Sequence, residues 1–321
     1  MNPVDPRTEE DLEHLAQNGL LEESHGLDLK RELGSGNAAN KDLAKDIAAF
    51  SLDGGTILIT GASSGIGMAI ARRVAPRAKR LVLVARRVER MEALKQELVA
   101  ARPELVVDVM PCDLSKRDDV TRLIEDVARR GLAVDVLVNN AGVGMMTFFE
   151  QADAAATMAM VDLNVTSVTM LTRAFLPGMV ARRRGGVLNV SSGFGLAVLP
   201  MFAAYIASKH YVTGLTEALR SELVGSGVVA TQVCPGPVAT EFESNVGNKT
   251  GKKPPALVEI SAEQCARAAI AGFDRGRAIV VPGTVMKVVM LINALSPRFA
   301  RRLFASIVGR IARKRLGGML T

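Results

Sequence analysis

The chain has 321 residues, of which 48% are apolar and 4% aromatic, with two Tyr and no Trp. That share supplies a large core of Val, Ile, Leu and Ala and excludes the weakly hydrophobic composition of a disordered chain. The net charge of +7 is uneven: residues 1–50 carry eleven acidic and five basic side chains, residues 275–321 ten basic and no acidic ones. An acidic head, a nearly neutral body and a basic tail are not the distributed basic face of a nucleic-acid binder, so no nucleic-acid partner is expected.

With so acidic a head, no secretory signal or Arg-rich transit peptide is expected, and no uninterrupted apolar run reaches the ~18 residues of a membrane span. A cytoplasmic chain is expected. Cys112, Cys234 and Cys265 are odd in number and match no metal knuckle, so buried reduced thiols are expected. His14, His25 and His210 form no ligand cluster, and no metal is expected.

From Thr56 onward, short apolar runs alternate with amphipathic stretches. The runs are Thr56–Thr60, Leu81–Ala85, Leu105–Met110, Val134–Val138, Val187–Val190 and Val228–Cys234. They are rich in β-branched residues, as strands buried on both faces should be. Between them, Val88–Ala101 and Lys116–Arg130 read as helices, the second with Ser115 as N-cap and Gly131 after its end. This alternation predicts an α/β fold: a doubly wound parallel sheet with helices on both faces, in one domain.

The first run leads directly into Thr60-Gly61-Ala62-Ser63-Ser64-Gly65-Ile66-Gly67 and then a helical stretch. Glycines there let the backbone approach a pyrophosphate at a helix start. The second run ends in Ala85-Arg86-Arg87. An NAD site places a carboxylate about there for the ribose hydroxyls, and an NADP site offers arginine to the 2′-phosphate. Ala85 followed by Arg86 favours NADP(H) over a pair of merely solvated charges. The fourth run leads into Asn139-Asn140-Ala141-Gly142, where open α/β sheets hold cofactors.

Tyr205-Ile206-Ala207-Ser208-Lys209 puts a phenol and an ammonium one helical turn apart on one face. A free phenol has a pKa of about 10 and is a poor acid–base group near neutrality. A cation ~4 Å away is worth roughly 4 kcal/mol at an effective dielectric near 20, so Lys209 is expected to lower that pKa. Tyr211, the other tyrosine, has Leu215 at the corresponding position. Ser191 and Ser192 end the fifth run, where a hydroxyl can hydrogen-bond a substrate carbonyl.

TGASSGIG, NNAG, the Asn of VDLNV, NVSS, YIASK and the Cys234–Thr240 segment resemble, in order and spacing, the short-chain dehydrogenase/reductase family over about residues 53–283. The resemblance implies a Rossmann-like sheet of about seven strands, hydride transfer between nicotinamide and a carbonyl or alcohol, and a homo-oligomer. It implies Tyr205 as general acid/base, Lys209 as its activator and ribose ligand, and Ser192, thirteen residues before the tyrosine, as carbonyl-orienting hydroxyl. Asn164 would support a proton-relay water. Gly61, Ser63, Ser64, Gly65, Ile66 and Gly67 would line the phosphate site. Arg86 would meet the 2′-phosphate, Asp113 the adenine, Asn140 the adenosine ribose, and Val238 and Thr240 the nicotinamide end.

Two ends depart from that pattern. Residues 1–52 are expected to be a peripheral extension, in which Leu27–Phe50 resembles the opening of an AlbA-2 (Schlafen-type) domain but stops short of one. Residues 284–321 read as two amphipathic helices divided by Pro297, the second with basic residues around an apolar stripe. Such a tail is expected to rest on an anionic membrane surface, against the alternative of packing on protein.

The expected substrate is apolar and lipid-like: a 3-oxoacyl group, retinoid, sterol or xenobiotic ketone. Met145, Met146, Phe148, Phe194, Leu196, Met201, Phe202 and Phe242 are uncharged neighbours of the chemistry, and Ser244–Pro255 reads as a covering segment. The competing reading, a non-catalytic NADP-binding membrane or interaction protein, leaves the complete Asn–Ser–Tyr–Lys set without a use.

Overall fold

A computed structural model describes residues 52–242, 255 and 257–317. The acidic head with its Leu27–Phe50 similarity, and almost all of Ser244–Pro255, lie outside the described residues. The six apolar runs form strands β1 (Thr56–Thr60), β2 (Arg80–Ala85), β3 (Val106–Pro111), β4 (Val136–Asn139), β5 (Gly185–Val190) and β6 (Val228–Val233). Ile57 and Ile59 pack into one core and Leu58 into the other, the period-two alternation of a strand covered on both faces. Burying each such side chain contributes about 1.5–3 kcal/mol.

Further along the chain, the segment after β6 pairs β7 (Val238–Ala239) with β8 (Ile260–Ser261) as a separate two-stranded ladder. A seventh strand of the main sheet, β9 (Ile279–Val280), then adds to β6. The main sheet is parallel throughout, in the order β3-β2-β1-β4-β5-β6-β9. The order reverses between β1 and β4, the point where open α/β sheets bind ligands beyond the strands' carboxyl ends.

One face of the sheet is covered by α1 (Gly65–Val74), α2 (Val88–Ala101) and, from later in the chain, the helix Ala262–Phe273. The other is covered by α3 (Arg117–Arg129) and two long helices. The first runs as α4 (Ala154–Val161), a π-helical stretch Asp162–Thr166, and α5 (Ser167–Ala181). Its 28 residues are apolar enough to cross a membrane by length and composition. Its Leu171 and Met179, however, are buried in the core beneath the sheet, so it is an element of the fold. The second is α6 (Ala203–Glu222). Ser115 does not cap α3, whose N-cap is Lys116; its hydroxyl and N–H both donate to Asp113 instead.

A buried polar chain ties strands to α6. Asn139 donates to Asn189 Oδ1 at 2.8 Å, and Asn189 donates to Thr216 Oγ1 at 2.9 Å. The segment Ala262–Phe273, α7 in chain order, opens with a Ser261–Gln264 capping box.

The tail forms α8 (Thr284–Leu295) and α9 (Arg298–Gly317), broken at Pro297 as the sequence predicts. On α8, Met286 and Met290 are buried with Cys234 and Val281, while Val288, Val289, Ile292 and Leu295 are exposed. On α9, Phe299, Leu303, Phe304, Ile307 and Ile311 are exposed. Its Arg313 pairs with Glu150 at 2.7 Å and lies over the Phe148 ring at 4.3 Å. Packing on protein and an open apolar face therefore coexist in one tail.

Candidate active site

The glycine turn joins β1 to α1. Gly61 has φ +66°, and a Cβ there would lie 2.8 Å from Asn140 Nδ2. A Cβ on Gly67 would fall 2.4 Å from the Gly61 carbonyl, so only glycine fits. Asn140 spans the two strand ends: its Nδ2 donates to the Thr60 carbonyl at 2.9 Å and its N–H to Thr60 Oγ1 at 2.9 Å. Its side chain thus braces the turn. Ser64 is the N-cap of α1 but makes no side-chain cap, leaving the first N–H groups of the helix for another acceptor.

The two arginines after β2 separate. Arg86 is exposed, and its charge bears on Asp113. Burial opposes ionisation of Asp113, yet the hydrogen bonds from Ser115, aided by Arg86 and Lys116, hold its carboxyl below the usual range. Arg87, the N-cap of α2, turns the other way across the glycine turn: its Nη2 donates to Ser64 Oγ at 2.6 Å and its Nε to Ser63 Oγ at 3.3 Å. Sequence reasoning weighted Arg86 and passed over Arg87. Val238 is buried in β7, and Thr240 lies against the turn, its Cγ2 3.1 Å from a Cβ built on Gly65. Ile66 packs against the core beside the sheet.

The chemistry-bearing side chains meet past the ends of β4 and β5. Tyr205, 5% exposed, stands in the first turn of α6, and the Ser192 hydroxyl acts on its phenol, drawing its pKa down. Ser192 follows β5, and its Oγ also accepts from the Phe194 N–H at 3.1 Å. Ser191 is turned inward, donating to the Lys209 carbonyl at 3.1 Å. Of the two serines, Ser192 is the one that acts on the phenol. Rings of Phe194, Phe202 and Phe242 surround the phenol, with centroids 6.1, 6.5 and 5.8 Å away.

Lys209 is buried, and its Nζ donates to the Val190 carbonyl at 3.0 Å and sits 5.9 Å from the Tyr205 ring centroid. Loss of solvent pushes its pKa down to about 8. Burial likewise pushes the Tyr205 phenol up to about 12, against the lowering effect of the Ser192 hydroxyl. Burial, not Lys209, has the largest effect on the phenol in this geometry. The ammonium itself is turned to the Val190 carbonyl.

Asn164 lies in the π-helical stretch, whose wider turn carries it inward. Its Oδ1 accepts from the Val143 N–H at 3.0 Å, and its Nδ2 donates to the Val143 carbonyl and to Ser208 Oγ. Ser208 in turn donates to the Tyr205 carbonyl at 2.7 Å. It is a positioning residue that sequence reasoning missed, because its role rests on contacts 44 positions apart. A Cβ on Gly142 would lie 3.2 Å from Asn164 Oδ1 and 3.3 Å from Lys209 Nζ, so both polar groups border one cleft.

The residues present fit a dinucleotide. The turn admits no Cβ at Gly61 or Gly67, a helix N-terminus faces it, and the buried ammonium uses one of its three donors on Val190.

The model of the short chain dehydrogenase family matches residues 55–251. The chain belongs to that family. The dehydrogenase is 39% identical to farnesol dehydrogenase of Aedes aegypti, over 59% of this chain and 79% of that one. Among solved structures, it is similar to a short-chain dehydrogenase from Sphingobium yanoikuyae in complex with NADPH (32% identity, TM-score 0.65, 71% of this chain and 87% of that one). It is also similar to a Burkholderia phymatum short-chain dehydrogenase/reductase in complex with NAD (26% identity, TM-score 0.65, 74% and 92%). The dehydrogenase is accordingly an oxidoreductase acting on an alcohol or carbonyl with a nicotinamide dinucleotide.

Proposed function

We propose that the dehydrogenase is an NADP(H)-dependent carbonyl reductase or alcohol dehydrogenase for an apolar, lipid-like substrate. The observation that carries the reading is the buried Tyr205 phenol under the influence of the Ser192 hydroxyl, with the Lys209 ammonium 5.9 Å from its ring centroid. Ser192 hydrogen-bonds the carbonyl oxygen and aligns it with the phenol. Tyr205 gives its proton to that oxygen as negative charge develops, and Lys209 offsets the charge left on the phenolate. The hydride comes from the nicotinamide when that cofactor is bound. Tyr205 then regains a proton from solvent, and Asn164 holds the cleft through Val143 and Ser208. A complete set of this kind has no use in a merely cofactor-binding protein.

Preference for NADP(H) is supported by Ala85 where a carboxylate would serve NAD, and by Arg87 across the phosphate turn. The neighbouring arginine, Arg86, and the Asp113 carboxylate frame the adenosine end. An apolar substrate is supported by the three phenylalanines around the phenol and by a relative named for farnesol. Residues 53–283 form the catalytic unit of this reading, acting as a homo-oligomer in the cytoplasm. The 284–321 tail rests on an anionic membrane through its exposed apolar stripe and basic flanks. Turnover of NADPH and NADH against long-chain ketones, aldehydes and alcohols tests the assignment. Faster turnover with NADH, or turnover confined to charged hydrophilic substrates, would overturn it.

A further inference from the structure

One acidic side chain lies among the cations at the glycine turn. Glu241 accepts from Arg87 Nη1 on Oε2 at 2.6 Å and from Arg90 Nη1 on Oε1 at 2.5 Å. Arg87 and Arg90 sit three residues apart at the start of α2, so both guanidiniums face the same way. The Arg87 fork continues onto Ser63 and Ser64 of the turn itself. Thr240, the residue before Glu241, packs against Gly65. Glu241 thus arrives from the far side of the sheet, 151 positions away in sequence from Arg90, to place a carboxylate between two arginines at the phosphate turn.

These donors suit a better acceptor than a carboxylate. A phosphate monoester carries about −1.5 to −2 charge near neutrality and three acceptor oxygens, where Glu241 carries one charge and two oxygens. A ribose hydroxyl carries no charge and cannot displace it. We propose that Glu241 is a built-in competitor for the 2′-phosphate of the cofactor: it holds Arg87 and Arg90 until a phosphate monoester takes its place, and so sets how strongly NADP(H) is preferred over NAD(H). The proposal rests on the NADP(H) reading above. Glu241 and both arginines are nearly half exposed. Pairs of that kind are individually weak, so the competition alters affinity by about three- to tenfold rather than by orders of magnitude.

Calorimetric titration of the full chain with NADPH, NADH, adenosine 2′,5′-bisphosphate and adenosine 5′-monophosphate tests this without turnover. Glu241→Gln should tighten NADPH and the bisphosphate about three- to tenfold at low salt and leave NADH and the monophosphate within about twofold. Arg87→Ala should remove the advantage of the 2′-phosphate. Wild-type preference for NADPH with no change in Glu241→Gln, or an equal change for all four ligands, overturns the competition alone. Wild-type binding of NADH tighter than NADPH, with the bisphosphate no better than the monophosphate, overturns the cofactor reading and this proposal with it.

Discussion

Asn293 donates its side-chain N–H to the Leu196 carbonyl at 2.8 Å, which fastens the tail helix α8 to the loop that follows Ser192. The same helix sets Met286 and Met290 within 3.5 Å of a Cβ built on Gly193. The tail helix therefore packs against the backbone that directly follows Ser192. Asn293→Ala should cost about 0.5–1.5 kcal/mol and Met290→Ala about 2–5 kcal/mol in denaturant unfolding. Both should raise KM for the carbonyl substrate and leave cofactor affinity alone. Unchanged KM in both variants would separate α8 from the substrate site.

Because α8 is built into the body, the membrane test belongs on α9. A chain ended after Ser296 should stay folded and active but lose sedimentation with anionic vesicles, whereas the full chain should bind them and release in salt. Equal, salt-insensitive partitioning of the two chains, or equal binding to neutral vesicles, would reject the surface reading of Phe299 through Ile311.

Tyr205→Phe keeps the ring among Phe194, Phe202 and Phe242 and removes only the transferable proton. Turnover should fall about 10²- to 10⁴-fold while cofactor affinity persists. A variant retaining more than about a tenth of wild-type kcat/KM, a loss under about 1.4 kcal/mol, would show that another group supplies the proton.

The pH profile follows from the two buried groups. With its pKa pushed up to about 12, Tyr205 stays protonated through neutrality and is ready to act as an acid. Lys209, lowered to about 8, is charged below that pH and neutral above it. Reduction, measured as kcat/KM, should therefore be level up to about pH 7 and fall as pH rises through about 8. Alcohol oxidation needs the phenolate and should instead gain as pH rises. A reductive profile level to about pH 10 would detach Lys209 from the acid step.

The strands were legible because five of the six runs are buried on both faces, which forces an apolar, β-branched sequence, while β3, at the sheet edge, is only partly buried. Ile279–Val280 escaped because a strand of two residues leaves no periodicity to read. The site's residue types could be read from spacing, but their directions could not. Arg86 and Arg87 are adjacent and alike, and only the backbone of Arg87 as N-cap (φ −88°, ψ 90°) decides which one crosses the turn. For Tyr205 and Lys209, spacing along a helix fixes a shared face. It fixes neither where a long lysine chain ends nor how dry its surroundings are. The tail's two helices and their break at Pro297 follow from composition. The burial of Met286 and Met290 beside exposed Val288 and Val289 depends on a partner surface that the tail's own sequence does not contain.

All three thiols lie in the interior, Cys234 and Cys265 at 0% exposure and Cys112 at 6%. Burial raises each to about 12. At neutral pH only about one thiol in 10⁵ is then a thiolate, the form that reacts with peroxide, disulfides and alkylating agents. Cys234 lies between the serine pair and the lysine of an active site, yet it is shielded from oxidative chemistry as long as the fold is closed. Alkylation of the three thiols in the native protein is therefore expected to be slow and to speed up with partial denaturant, a consequence of their burial.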